Sequence, residues 1–190
     1  MALALNGLRF NEEEANAAAD EWGFNCGPAA IAAICQIDLL ELRPHLEDFE
    51  TKRYTNPTMM AKILSNLRID VQQFLRLNPE LEMQRQGKKP WPRYGLARVQ
   101  WEGPWTRPAV PIRVRYRYTH WIGVDARDAE NVGIWDVNCL NNGSGWAALA
   151  DWNGIIVPHI LKTLYPRADG NWHLTHTILL DKWQLRKAGN

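Results

Sequence analysis

A nucleophile, a general base and a carboxylate that orients the base are the minimum equipment for covalent hydrolysis. This chain carries a candidate for each role: Cys26, His120 and Asp136. The cysteine opens the stretch Asn25-Cys26-Gly27-Pro28-Ala29-Ala30-Ile31-Ala32-Ala33-Ile34. Asn25 is a favoured N-cap, so Cys26 is expected as the first helical residue. Pro28 is tolerated there because first-turn amides have no intrahelical partner. A thiol so seated lies at the positive end of a helix dipole, which favours the nucleophilic thiolate. Taken alone, Cys26 reads more simply as a buried cysteine at a helix start, since free cysteine is among the most buried residue types.

His120 and Asp136 follow from a β pattern. Ile112, Val114, Tyr116 and Tyr118 alternate with Arg113, Arg115, Arg117 and Thr119, which predicts a strand with one wet face. Continued, the apolar register falls on His120, Ile122 and Val124. A second strand is expected over Val132 to Asn138, with Val132, Ile134 and Asp136 on one face. A hairpin centred on Asp128 then sets Val124 against Val132, Ile122 against Ile134 and His120 against Asp136. Directly opposed side chains are close enough to interact, so the carboxylate can fix the imidazole tautomer. A lone inward histidine or aspartate is ordinarily packing. A buried His–Asp pair is costly to maintain as packing alone, and a helix-start cysteine elsewhere turns the balance toward chemistry.

Asn25-Cys26-Gly27-Pro28-Ala29-Ala30, Thr119-His120-Trp121-Ile122-Gly123-Val124 and Ile134-Trp135-Asp136-Val137-Asn138 together resemble the papain-like cysteine peptidases. The nearest branch is the bacteriocin-leader (double-glycine) peptidases and related domains of phages and bacteria. The order Cys, His, Asp matches, and the segments between the motifs match poorly. The resemblance implies Cys26 as nucleophile, His120 as base then acid, and Asp136 as its orienting residue. It also implies an α+β fold in one domain over 1–190: a helical half with the nucleophile at a helix N-terminus, then an antiparallel sheet half carrying His and Asp. One position departs from the family. Six residues before the cysteine, where the family usually has a glutamine that binds the oxyanion, stands Asp20, whose carboxylate would repel one. Either Asp20 is protonated, or another donor such as Asn16 or Gln100 serves, or hydrolysis is weak or lost.

The elements that must position these residues are legible in outline. Asn11-Glu12-Glu13-Glu14 opens a helix with a capping-box arrangement, ending before Gly23. Asp38 to Phe49 reads as a Pro-interrupted helical segment, and Asn56-Pro57 starts another helix with Met59, Met60, Ile63, Leu64 and Leu67 on one face. Strands are expected at Val71 to Leu77, Leu96 to Trp101 and Trp172 to Leu180. Asn78 to Tyr94 reads as a basic loop. Gly145 to Gly170 reads as a short helix, a strand and a helical turn, and Lys182 to Asn190 as a polar tail.

The 190 residues carry a net charge of +1, three cysteines and ten tryptophans. That charge argues against a general nucleic-acid binder, and three cysteines indicate no disulfide framework. No signal peptide or membrane-spanning run is evident, so a cytoplasmic setting is the default and no membrane partner is expected. Cys35 and Cys139 lack a helix-start seat and are expected to be structural. A metal site from Cys26, Cys139, His120 and His173 has no close-spaced ligand pair behind it. His173 and His176 are three apart and face opposite ways on a strand. No cofactor is expected. The first functional expectation is a cysteine hydrolase acting on a peptide or protein substrate, with a cell-wall peptidase as a related possibility. The second is a papain-like fold used without chemistry, as a binding or virion-associated structural module.

Overall fold

A computed structural model describes residues 7–78, 89–164 and 168–180. Its helices gather in the first third: α1 (Glu12–Trp22), α2 (Cys26–Cys35), α3 (Leu39–Leu42), α4 (Phe49–Lys52) and α5 (Pro57–Asn66). The strands follow: β1 (Val71–Arg76), β2 (Tyr94–Trp101), β3 (Thr119–Asp125), β4 (Gly133–Trp135), β5 (Trp146–Ala148) and β6 (Trp172–Leu180). They form one antiparallel sheet in the order β1-β6-β2-β3-β4-β5. The architecture is α+β, with the helices N-terminal and the sheet C-terminal. Among the described residues, no helix is long and apolar enough to cross a membrane.

Helix α2 is the centre of the molecule. Every residue from Gly27 to Cys35 is buried, as expected of a helix apolar on all sides. One side lies on the sheet; α1, α3 and α5 cover the rest in the same core. The approach to β3 is close. A methyl group at Gly123 would stand 2.6 Å from Ile34 Cδ1 and 3.0 Å from Trp135 Cβ. The sheet's other face has its own core, including Val99, Trp101, Ile122, Val124, Ile134 and Trp152.

Most expected elements are present. Asn11 and Glu14 form the reciprocal cap of α1, and Gly23 ends that helix in the left-handed conformation at φ 79°. Asn56 caps α5 with Pro57 at its start. Asp38 caps α3, and a 3-10 turn at Arg43–His45 follows. Part of the expected loop, 79–88, and the expected tail at Lys182 to Asn190 lie outside the described residues.

Three expectations are corrected. The alternating stretch from Ile112 is not a strand: Ile112–Arg115 is a helical turn, and β3 begins only at Thr119. Strand β2 ends at Trp101 and the chain turns at Pro104–Thr106, so nothing remains for residues before Tyr118 to pair with. Arg115 instead folds back, its Nε donating to the Val110 carbonyl at 2.7 Å. The β3–β4 register is also displaced by two: Val124 opposes Ile134, not Val132. A two-residue slip keeps every side chain on its face, so His120 and Asp136 still share one, but diagonally.

The third correction concerns 145–170. A strand comes first, at β5, and residues 149–163 are helical with a π-helical stretch at Trp152–Ile156. In that wide turn the Val157 amide donates to the Trp152 carbonyl. Trp152, Val157 and Leu161 are the buried residues of these turns. The π turn brings the first two onto one side, and ordinary helical spacing adds Leu161.

The tight α2–β3 contact gives a stability prediction. Gly123→Ala is expected to lose about 1–3 kcal/mol through overpacking, read by urea denaturation.

Candidate active site

Cys26 is the first residue of α2, and Asn25 is its N-cap. The Asn25 Oδ1 accepts from the Gly27 amide at 3.2 Å, and its Nδ2 donates to the Arg53 carbonyl at 3.0 Å. Two residues on, the Thr55 carbonyl accepts the Trp121 indole N–H at 2.8 Å. The segment 53–55 thereby ties the start of α2 to β3, one residue beyond His120.

His120 stands near the start of β3, buried, with its Nε2 2.9 Å from Asp136 Oδ2. The His120 ring and the backbone N–H of Trp121 both act on Cys26 in favour of its anion. With Nε2 committed to the carboxylate, Nδ1 is the nitrogen left for sulfur. The imidazole stacks on Trp101, ring centres 5.8 Å apart at 29°, and Trp101 stacks in turn on Trp152. That column restrains the ring's tilt.

Asp136 is fully buried and hydrogen-bonded on both oxygens. Its Oδ2 takes the His120 ring and the Trp152 indole N–H at 2.8 Å. Its Oδ1 takes the Asn138 amide at 2.9 Å and the Asn138 Nδ2 at 2.8 Å. A buried carboxylate is tolerable when so satisfied.

The protonation pattern follows from these contacts. Burial alone pushes the Asp136 carboxyl up; the His120 charge and the hydrogen bonds from His120, Trp152 and Asn138 outweigh it and bring the pKa to about 2. Burial disfavours a His120 cation, but Asp136 and the Cys26 thiolate more than compensate and raise its pKa well above the ordinary histidine value. Burial likewise opposes a Cys26 anion, yet the His120 charge and hydrogen bond and the Trp121 amide lower its pKa. Both shifts act in the direction of a thiolate–imidazolium pair. Cys35 and Cys139 lack such partners, and burial pushes both up to about 12.

Asp20 and Asn16 are exposed on α1. Asn16 lines a groove with Ala19, Val137 and Asn138 that does not include Cys26. Gln100 is buried, but its Nε2 already donates to the carbonyls of Trp101 at 2.8 Å and Tyr118 at 3.1 Å. The Cys26 backbone N–H, at the first position of α2, has no intrahelical acceptor and is one available donor.

His173 is engaged elsewhere, its Nδ1 2.9 Å from Glu102 Oε1. Among the described residues, no group of three or more His, Cys, Asp or Glu is arranged to hold a metal ion.

Sequence reasoning missed Trp152, Trp101 and Asn138. The Asp-x-Asn spacing, which favours an Asx-type turn, was a usable signal for Asn138. Trp101 follows from the β2–β3 register, in which Val99 opposes His120. Trp152 arrives through the π turn and has no local signature. No protein-family model matches the chain, and no curated protein matches it.

Two outcomes are expected. Iodoacetamide at neutral pH should modify Cys26 and spare Cys35 and Cys139, with a rate midpoint below the free-thiol value of about 8.5; His120→Gln should move that midpoint up. Peptide mapping across a pH series reads both. Second, a carboxyl whose folded pKa lies below its unfolded value stabilises the fold above the unfolded value and stops doing so as pH falls. The Asp136 contribution is therefore expected to vanish between about pH 4 and pH 2, and Asp136→Asn should flatten the stability profile in that window, as read by denaturation at stepped pH.

Proposed function

We propose that this chain is a papain-like cysteine hydrolase that cleaves an amide bond, most simply in a peptide or protein, through an acyl-enzyme. The observation that carries the reading is the buried His120–Asp136 pair, with the imidazole electrostatically coupled to a cysteine at the start of α2. The pKa shift of each member runs toward the protonation state the chemistry needs.

The steps follow from those states. The Cys26 thiolate attacks the carbonyl carbon, and the resulting oxyanion rests against the Cys26 N–H at the α2 N-terminus. The His120 imidazolium gives its proton to the leaving amine, the C–N bond breaks, and a thioester remains on Cys26. Neutral His120 then takes a proton from water as its oxygen attacks the thioester, releasing the acid and restoring the pair. Asp136 keeps the ring in the tautomer that presents Nδ1 to sulfur and stabilises its charged form.

A second reading has its own support. Asp20 and Asn16 are exposed and the Gln100 amide is committed. A site lacking one oxyanion donor turns over about 10²–10³ times more slowly. The same fold could then serve as a binding module, including one associated with a virion. A cell-wall peptidase differs from the first reading only in substrate and would release muropeptides.

Incubating a proteome-derived peptide library with wild type and with Cys26→Ala tests the reading. New N-termini that appear with wild type only support hydrolysis, and His120→Ala should slow their appearance by at least about 10²-fold. Identical peptide sets from wild type and Cys26→Ala would refute it and favour the binding module.

A further inference from the structure

Arg98 lies on β2, where its Cα partner across the ladder is Trp121, the residue whose amide meets the Cys26 sulfur. Thr119, to which its guanidinium donates, directly precedes His120 at the start of β3, so the Arg98 head group lies beside the residue that carries the imidazole. Arg98 is only 7% exposed. A buried guanidinium normally has a carboxylate beside it, because a charge taken out of water must be compensated. Arg98 has none among the described residues. Its Nη2 donates to Thr119 Oγ1 at 3.0 Å, and its guanidinium carbon lies 5.8 Å from the Tyr116 ring centre. Its Nε is buried without any partner. The neighbouring His176 is neutral and supplies no counter-charge: burial and the charges of Arg98 and Arg76 bring its pKa to about 4. Burial lowers the Arg98 pKa only to about 10, and the Cys26 thiolate acts against that fall. Arg98 thus keeps its charge at neutral pH, with most of its five N–H donors unused.

We propose that Arg98 is a substrate-binding residue that receives a carboxylate of the substrate beside the bond Cys26 attacks, Thr119 and Tyr116 holding the guanidinium ready for a two-pronged contact. This rests on the hydrolase reading and adds the substrate class: an amide with an acidic side chain or a free terminal carboxylate close to the scissile bond. Arginine suits the task because its planar fork matches a carboxylate bidentately.

The test uses three probes. N-acetylalanine carries a terminal carboxylate, N-acetylglutamate α-amide carries a side-chain carboxylate, and N-acetylalaninamide carries neither. Calorimetry on wild type and on Cys26→Ala should detect binding of at least one acid about tenfold or more tighter than the neutral amide. The better acid identifies the source of the carboxylate. That acid should also slow iodoacetamide at Cys26 in a saturable way. Arg98→Met should abolish both effects, and Arg98→Lys, which keeps the charge without the fork, should retain part of the binding. Equal binding of acids and neutral amide to wild type overturns the proposal, whatever the folding of the variants. So does undiminished acid binding by a folded Arg98→Met. A Cys26 that binds the acid beside it but cleaves no peptide would instead count against hydrolysis and leave the Arg98 site standing.

Discussion

The buried bond between His120 and Asp136 is the constraint around which the rest of the site is built. A carboxylate shielded completely from water is unfavourable unless each oxygen finds donors. Here the donors come from three parts of the chain: the imidazole on β3, the Trp152 indole in the π-helical turn and the Asn138 amides next door. Satisfying Asp136 therefore organises 136–138 and 152 at once. The same bond decides which imidazole nitrogen faces the sulfur.

Cys26 is held by a separate apparatus. Asn25 caps α2 and reaches across to Arg53, while Trp121 grips the Thr55 carbonyl from β3. Gly123 lets α2 settle against the same strand. Thus β3 carries His120 on one side, the clamp for the helix start on the other, and the Trp121 amide that acts on Cys26. The helix–sheet distance and the sulfur–imidazole relationship are one geometric fact.

Local signals carried much of this. The Asn25 cap, the Ala/Ile run and Pro28 are enough to seat Cys26 at a helix start, and Asn11 and Asn56 mark their helices in the same way. Face alternation was enough to put His120 and Asp136 on one side of a sheet. It could not fix their offset, because a slip of two residues preserves the pattern. Alternation also misled at Ile112, since a strand needs a neighbour as well as a period, and β2 had already turned away. The contributions of Trp101 and Trp152, and the isolation of Arg98, depend on partners far along the chain. No spacing within a segment encodes them.

Because the segment 53–55 joins α2 to β3, sulfur and imidazole belong to halves of the chain that meet only in the finished fold. Before the two halves dock, Cys26 is an ordinary thiol with neither a cationic neighbour nor the Trp121 amide. A nascent or partly opened chain therefore exposes no activated sulfur to passing electrophiles or proteins. On the proposed reading, reactivity at this cysteine would be a built-in report of completed assembly.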